Sequence, residues 1–446
     1  MNVRETPVRG GLGLEAAVTD AASRYTAANR ESERRFQSAG AVMPGGNTRS
    51  VLFFSPFPLC MVRGEGCVLW DADGHRYIDL LAEFTAGIYG HSDPLIRTAI
   101  DAALDGGINL SGHNHIEAEL AGVVCERFAS IDLVRFTNSG TEANLMALAS
   151  AKVFTGRRKI MVFEGGYHGG VLSFPPGGSR TNVPHEFIVA PYNDRAAAMR
   201  LIRETGDDLA AVLVEPMLGA GGCIPAEPKF LALLRAETAR RGAVLIFDEV
   251  MTSRLSPGGR QALLGIVPDM TTLGKYIGGG MAFGAFGGRR DIMALFDPRR
   301  PDALGHAGTF NNNIVTMAAG LVGMTQVFTP ERCRDLNQRG DWLRDALNTL
   351  FGRRGAPLRM SGLGSVMNLH AVGEADAVGE ADAAGEPSVA AKMKDLVFFD
   401  LIARGFYLAR RGLIALSLPV TDADTHAFIA AMDDLLTARR GVLTHD

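Results

Sequence analysis

The sequence predicts an α/β protein: a mainly parallel sheet covered by helices on both faces, accompanied by a smaller α+β region. Three observations carry this expectation. From about residue 93 to about residue 330, short apolar runs alternate with helical segments, the pattern of strands buried on both faces. The ends of those runs hold glycines, hydroxyls and carboxylates, the text expected where an open parallel sheet meets its ligand. A chain of 446 residues, 47% of them apolar, can bury a large core and divide into more than one domain.

In chain order, residues 1–20 read as a disordered start, and "AASRYTAANRESERRFQSAGAVMP" (21–44) as one helix ending before Pro44. "CMVRGEGCVLWDADGHRYIDLLA" alternates apolar and polar residues around a DADG turn and reads as a hairpin. Candidate sheet strands are "LVRFT" (133–137), "KIMVFE" (159–164), "AAVLVEP" (210–216), "AVLIFDEV" (243–250) and "FGAFGG" (283–288). The tandem GEADA repeat in 372–387 is acidic and lacks aromatics, as a solvated loop does. The expected division is an N-terminal segment over 21–92, a large domain over 93–335 and a small domain over 336–446.

Charge and cysteines exclude several classes. A net charge of −4 offers no basic field for nucleic acid. The five cysteines follow no CxxC or Cys/His spacing, which predicts free thiols in a reducing cytosol and no metal site. The first residues lack the apolar stretch of a secretion signal, and no apolar run is long enough to span a membrane. A soluble cytoplasmic protein is expected.

The strand ends point to chemistry. After "LVRFT", Asn138 or Ser139 can cap a helix, so that Ser139, Gly140 and Thr141 present hydroxyls and backbone N–H groups at its positive end, a site that suits phosphate. The bland alternative is a helix cap alone. After "KIMVFE", the loop "GGYHGG" places Tyr167 where it can stack on a planar ring or simply pack. "AVLIF" ends in Asp248-Glu249-Val250, and "VLV" in Glu215-Pro216; buried carboxylates there need partners, a salt bridge or a ligand cation. Then comes Lys275 in "TTLGKYIGGG". The chain holds six lysines against thirty-nine arginines, so a lysine in an apolar, Gly-rich setting calls for an amine and not merely a charge. A phosphate cradle, a stacking aromatic, a buried aspartate and a desolvated lysine together match pyridoxal 5'-phosphate (PLP). Lys275 is the expected Schiff-base lysine, and Asp248 the partner that keeps the pyridine nitrogen protonated.

"TNSGTEANLMAL", "FEGGYHGG", "VLVEPM", "LIFDEVMTSR", "TTLGKYIGGG" and "GTFNNNIVTMAAG" occur in order, and the chain thereby resembles the class III aminotransferases over roughly residues 25–440. Within that class it is most similar to the β-amino acid (β-phenylalanine) aminotransferases and glutamate-1-semialdehyde 2,1-aminomutase. The resemblance implies a fold-type I PLP transferase with a seven-stranded large-domain sheet. It implies that Ser139, Gly140 and Thr141 bind the phosphate, that Tyr167 and Val250 sandwich the ring, and that Glu215 supports the site. Thr309, in "GHAGTFNNN", resembles the residue that reaches the neighbouring subunit's phosphate, which implies a homodimer with active sites at the interface.

Two arginines bear on substrate. Arg49 lies in "MPGGNTRSVLFFSPFP" and Arg411 in "YLARRGLIALSLPV", and either guanidinium can take a carboxylate through two parallel hydrogen bonds. By resemblance, Arg49 receives the carboxylate of a β-amino acid. Arg411 receives the α-carboxylate of a keto acid and swings aside for an aromatic side chain. The expected reaction is ping-pong transamination from a small-molecule β-amino acid donor to 2-oxoglutarate or pyruvate. The alternatives are the aminomutase, an ω-amino acid or amine transaminase, and a catalytically silent PLP-fold binding protein, the last disfavoured by the intact Asp248 and Lys275.

Overall fold

The computed structural model describes residues 11–371 and 388–444. A seven-stranded sheet forms its centre, in the spatial order Leu133–Thr137, Gly284–Gly288, Met270–Gly274, Val244–Asp248, Leu209–Val214, Lys159–Phe163 and Glu186–Ala190. Only Gly284–Gly288 runs antiparallel to its neighbours; the other pairings are parallel. Two strands escape the sequence reading. Glu186–Ala190 is a half-exposed edge strand, and Met270–Gly274 hides its strand character behind two threonines and a glycine. Those threonine hydroxyls are buried but bonded, Thr271 to Ser130 Oγ at 2.7 Å and Thr272 to Asn144 Oδ1 at 2.8 Å. Pairing within the protein offsets their desolvation.

The strands alternate between two cores. Ile160, Val162, Leu213 and Ile246 face one, which the helix Gly140–Thr155 covers with Ala143, Ala147 and Leu148. Met161, Phe163, Val212, Val214, Leu245 and Phe247 face the other, covered by Phe230, Leu231 and Leu234 of the helix Pro228–Arg241. With both faces shielded, each buried large apolar side chain contributes on the order of 1.5–3 kcal/mol.

The N-terminal part differs from the sequence reading. Where a disordered start to residue 20 is expected, a helix runs over Gly11–Ala28; residues 1–10 lie outside the described residues. It docks on the helix Val389–Ile402, with Tyr25 against Phe399 at 5.2 Å and Arg24 to Asp400 at 3.3 Å. Tertiary packing thus stabilises a segment whose local signal is weak. The single helix expected over 21–44 is two, broken at Asn29 and resuming as Arg30–Gly40. Asp73 causes the break: its carboxylate accepts from Glu31 N (2.7 Å) and Ser32 N (2.9 Å), capping the second helix from 42 residues away. The expected hairpin is a three-stranded meander, Met61–Glu65, Val68–Asp71 and Arg76–Asp79, joined in parallel by Phe406–Tyr407. A second small sheet pairs Leu358–Leu363, Val366–Ala371 and Leu413–Ala415. The GEADA repeat lies outside the described residues.

Candidate active site

The Met270–Gly274 strand delivers Lys275 to the carboxyl edge of the sheet. Lys275 itself has φ +56°, in the left-handed region that a non-glycine residue enters at a cost. Removal from water pulls its ammonium down to about 8, against the opposing pull of Asp248 and Glu215; Arg411 and Arg254 add to the lowering. The amine is therefore partly deprotonated near neutrality.

Asp248, at the end of the adjacent strand, is buried and well partnered. Its Oδ2 accepts from Asn144 Nδ2 at 2.8 Å and faces His168 Nδ1 at 2.8 Å, while Oδ1 accepts from Val250 N at 3.0 Å. Asn144 is in turn fixed by Thr272 Oγ1 and by the His168 carbonyl at 3.0 Å. Glu215 accepts from Tyr167 N and Gly219 N, both at 2.9 Å, and so ties the Tyr167 loop to its own strand. Burial pushes the Glu215 carboxyl above its ordinary range, against the pull of His168 and the two N–H donors; Asp248 raises it further. Glu249 has a different function: fully buried, it accepts from Arg260 N, Gln261 N, Gln261 Nε2 and Thr252 Oγ1 at 2.7–3.1 Å and organises the turn behind the site.

Ser139 is the helix cap, its Oγ accepting from Glu142 N at 3.2 Å, so the Gly140–Thr155 helix aims its positive end at the same space. Gly140 is required for close packing: a Cβ there would lie 2.9 Å from Val250 Cγ2. Tyr167 is 48% exposed on its loop. The mouth carries Arg49, paired with Glu83, and Arg411, whose Nη1 is 3.5 Å from Ala220 O. Both guanidiniums lie over the Phe84 ring, at 5.1 and 5.8 Å from its centroid. Arg410, the residue before Arg411 in the chain, instead clamps Asp395. One cavity of about 810 Å³ gathers Lys275, Asp248, Glu215, Ser139, Tyr167, Arg49 and Arg411.

The class-III aminotransferase family model matches residues 54–385. The chain belongs to the class III aminotransferases. This aminotransferase is 54% identical to the β-phenylalanine transaminase of Variovorax paradoxus over 430 residues, covering 96% of this chain and 98% of the relative. It is 35% identical to the glutamate-1-semialdehyde 2,1-aminomutase of Heliobacterium modesticaldum, covering 90% and 96%. The crystal structure of a β-phenylalanine aminotransferase from Variovorax paradoxus superimposes with a TM-score of 0.93 at 53% identity, covering 97% of this chain and 99% of that one. An ω-transaminase from Sphaerobacter thermophilus gives 0.85 at 36% identity, covering 92% and 98%.

The cofactor of this class is PLP, and the residues present fit it. The cavity offers an amine of lowered basicity, a buried carboxylate, a helix N-terminus flanked by Ser139 and Thr141, and a slot floored by Val250 between Gly140 and Gly274. Of the residues the sequence singles out, the structure brings Arg49, Ser139, Gly140, Thr141, Tyr167, Glu215, Asp248, Val250, Lys275 and Arg411 to this cavity. Thr309 is exposed and does not line it. The sequence reading gives no role to Asn144, His168, Glu83 or Phe84. Asn144 had a usable signal: asparagine is unfavourable inside a helix and, once buried there, needs partners.

Proposed function

We propose that this aminotransferase moves the amino group of a β-amino acid with an aromatic side chain to a keto acid such as 2-oxoglutarate or pyruvate, working as a cytoplasmic homodimer. The observation that carries this reading is the pair of arginines, Arg49 and Arg411, from separate parts of the chain at the mouth of the Lys275 cavity. Two carboxylate sites serve two substrates whose carboxylates stand at different distances from the reacting carbon.

Ser139, Gly140 and Thr141 would hold the cofactor phosphate at the helix end, Val250 and Tyr167 would enclose its ring, and Asp248 would partner the ring nitrogen. When bound, PLP supplies a carbonyl that bonds the substrate amine and a ring that accepts the electron pair released at the amine-bearing carbon. Lys275 Nζ, whose ammonium burial lowers to about 8, would be the base that takes the proton from the amine-bearing carbon. His168 and Asn144 hold the Asp248 carboxylate in place, and Glu215 holds the Tyr167 loop. Arg49 binds the carboxylate of the β-amino acid. Arg411 binds the α-carboxylate of the keto acid and yields to the donor's aromatic ring, for which Val51, Phe84 and Met281 supply apolar surface.

Thr309 reaches the phosphate of the neighbouring subunit; its exposure and its absence from its own chain's cavity support this assignment. The chain divides into a large domain over 93–335 and a small domain made from 21–92 and 336–446, a division supported by Arg24 and Tyr25 docking on Val389–Ile402. Among the described residues no helix is long and apolar enough to cross a membrane, and the five cysteines are free thiols.

The test is a keto-acid dependence assay with β-phenylalanine, β-aminobutyrate and glutamate-1-semialdehyde as donors. Net turnover of β-phenylalanine only with 2-oxoglutarate or pyruvate supports the reading. Turnover of the semialdehyde without any keto acid replaces it with the aminomutase.

A further inference from the structure

Four consecutive non-glycine residues, Ala82, Glu83, Phe84 and Thr85, have positive φ angles of 44°, 47°, 53° and 79°. Each costs roughly 1–2 kcal/mol relative to a right-handed conformation. Such a run persists only where its surroundings over-determine it, and here they do. Asp79 Oδ1 accepts from Leu81 N and Ala82 N at 2.8 and 3.0 Å at its start. At its end the fully buried Arg254 donates to the Thr85 carbonyl at 3.3 Å, and also holds Leu416 O and Ser365 Oγ. A deeply buried arginine and a buried aspartate thus hold the two ends of one strained turn. The product of that turn is specific: Glu83 reaches Arg49, and the Phe84 ring lies under both Arg49 and Arg411.

We infer that Glu83 is a built-in occupant of the Arg49 carboxylate site, which an incoming substrate carboxylate must displace, and that the left-handed turn Ala82–Thr85 exists to hold it there. This rests on the reading of Arg49 as the donor's carboxylate site. Every carboxylate that takes Arg49 must displace Glu83, so the internal carboxylate lowers the apparent affinity of the site. Arg49 and Glu83 are partly exposed, with side-chain exposures of 43% and 59%. Competition from such a pair amounts to about two- to fivefold in affinity.

The experiment measures binding of 3-phenylpropanoate, a carboxylate without an amine, to the PLP-loaded enzyme by calorimetry. Wild type is compared with Glu83→Gln, Arg49→Ala and the double variant, alongside KM and kcat for β-phenylalanine. Glu83→Gln is expected to tighten 3-phenylpropanoate and lower KM by about two- to fivefold, with the effect falling on KM and not on kcat. In the Arg49→Ala background the same change should do nothing. If Arg49→Ala weakens binding but Glu83→Gln does not tighten it, the internal-occupant inference is wrong while the Arg49 reading stands. If Glu83→Gln tightens binding equally without Arg49, the inference is likewise overturned, since Glu83 then acts by general repulsion. If Arg49→Ala leaves binding unchanged, the donor-site reading itself fails and takes the inference with it.

Discussion

His168 Nδ1 and Asp248 Oδ2 lie 2.8 Å apart, both side chains are buried, and Asn144 Nδ2 meets the same carboxylate oxygen at 2.8 Å. Oδ2 is thereby occupied by protein donors, and the carboxylate is held rigidly where a ring nitrogen can share its charge. Asp248→Asn keeps the shape and removes the charge. Turnover should fall on the order of 10²-fold or more, several kcal/mol in barrier, because an uncharged pyridine is a poor electron sink. Single-turnover absorbance with β-phenylalanine measures it; near wild-type rates would mean that another group protonates the ring.

Asn144→Ala should cost stability as well as activity. It strips a partner from Asp248, from the Thr272 hydroxyl and from the His168 carbonyl. Each unsatisfied buried group costs about 1–3 kcal/mol. Denaturant unfolding of the apoprotein reads this without reference to catalysis, and an unchanged midpoint would show that water replaces the amide.

Lys275 carries the pH dependence. Its ammonium is lowered to about 8 in the cofactor-free protein, and the neutral amine is the form that bonds a carbonyl. Recapture of PLP by the apoprotein should therefore speed up as pH rises through about 8 and level off above it. Stopped-flow absorbance gives the profile, and a midpoint near 10 would show that burial does not lower the amine. Lys275→Ala should retain PLP through the helix-end cradle yet lose turnover, and borohydride should fix cofactor to the wild-type Lys275 peptide alone.

Arg49 and Arg411 should separate the two half-reactions. Loss of a charge-assisted, two-point contact costs roughly 1.5–3 kcal/mol, about ten- to a hundredfold. Arg411→Ala should penalise mainly the keto acid, and Arg49→Ala the β-amino acid together with any acceptor whose distal carboxylate shares that site. Equal slowing of both halves by Arg411→Ala would reject a swinging arginine. Phe84→Leu, by contrast, should weaken both halves modestly, since one ring serves both guanidiniums.

The sequence by itself determined which groups stand at the strand ends. Lys275 in an apolar glycine-rich turn, Asp248 closing a buried strand and Ser139 opening a helix are each legible, because the residue type and its place after an apolar run already fix what the side chain can do. The α/β class follows from the same runs, whose burial on both faces leaves no polar alternation. Tertiary structure decided what depends on residues far apart in the chain. The helix break at Asn29 comes from Asp73, and the docking of Gly11–Ala28 comes from Val389–Ile402. The left-handed run Ala82–Thr85 depends on Arg254, 169 residues away from Thr85. Alanine, glutamate, phenylalanine and threonine have no local preference for positive φ. Only the contacts of the folded chain can offset that strain, and so only the fold reveals why Glu83 and Phe84 stand beside Arg49.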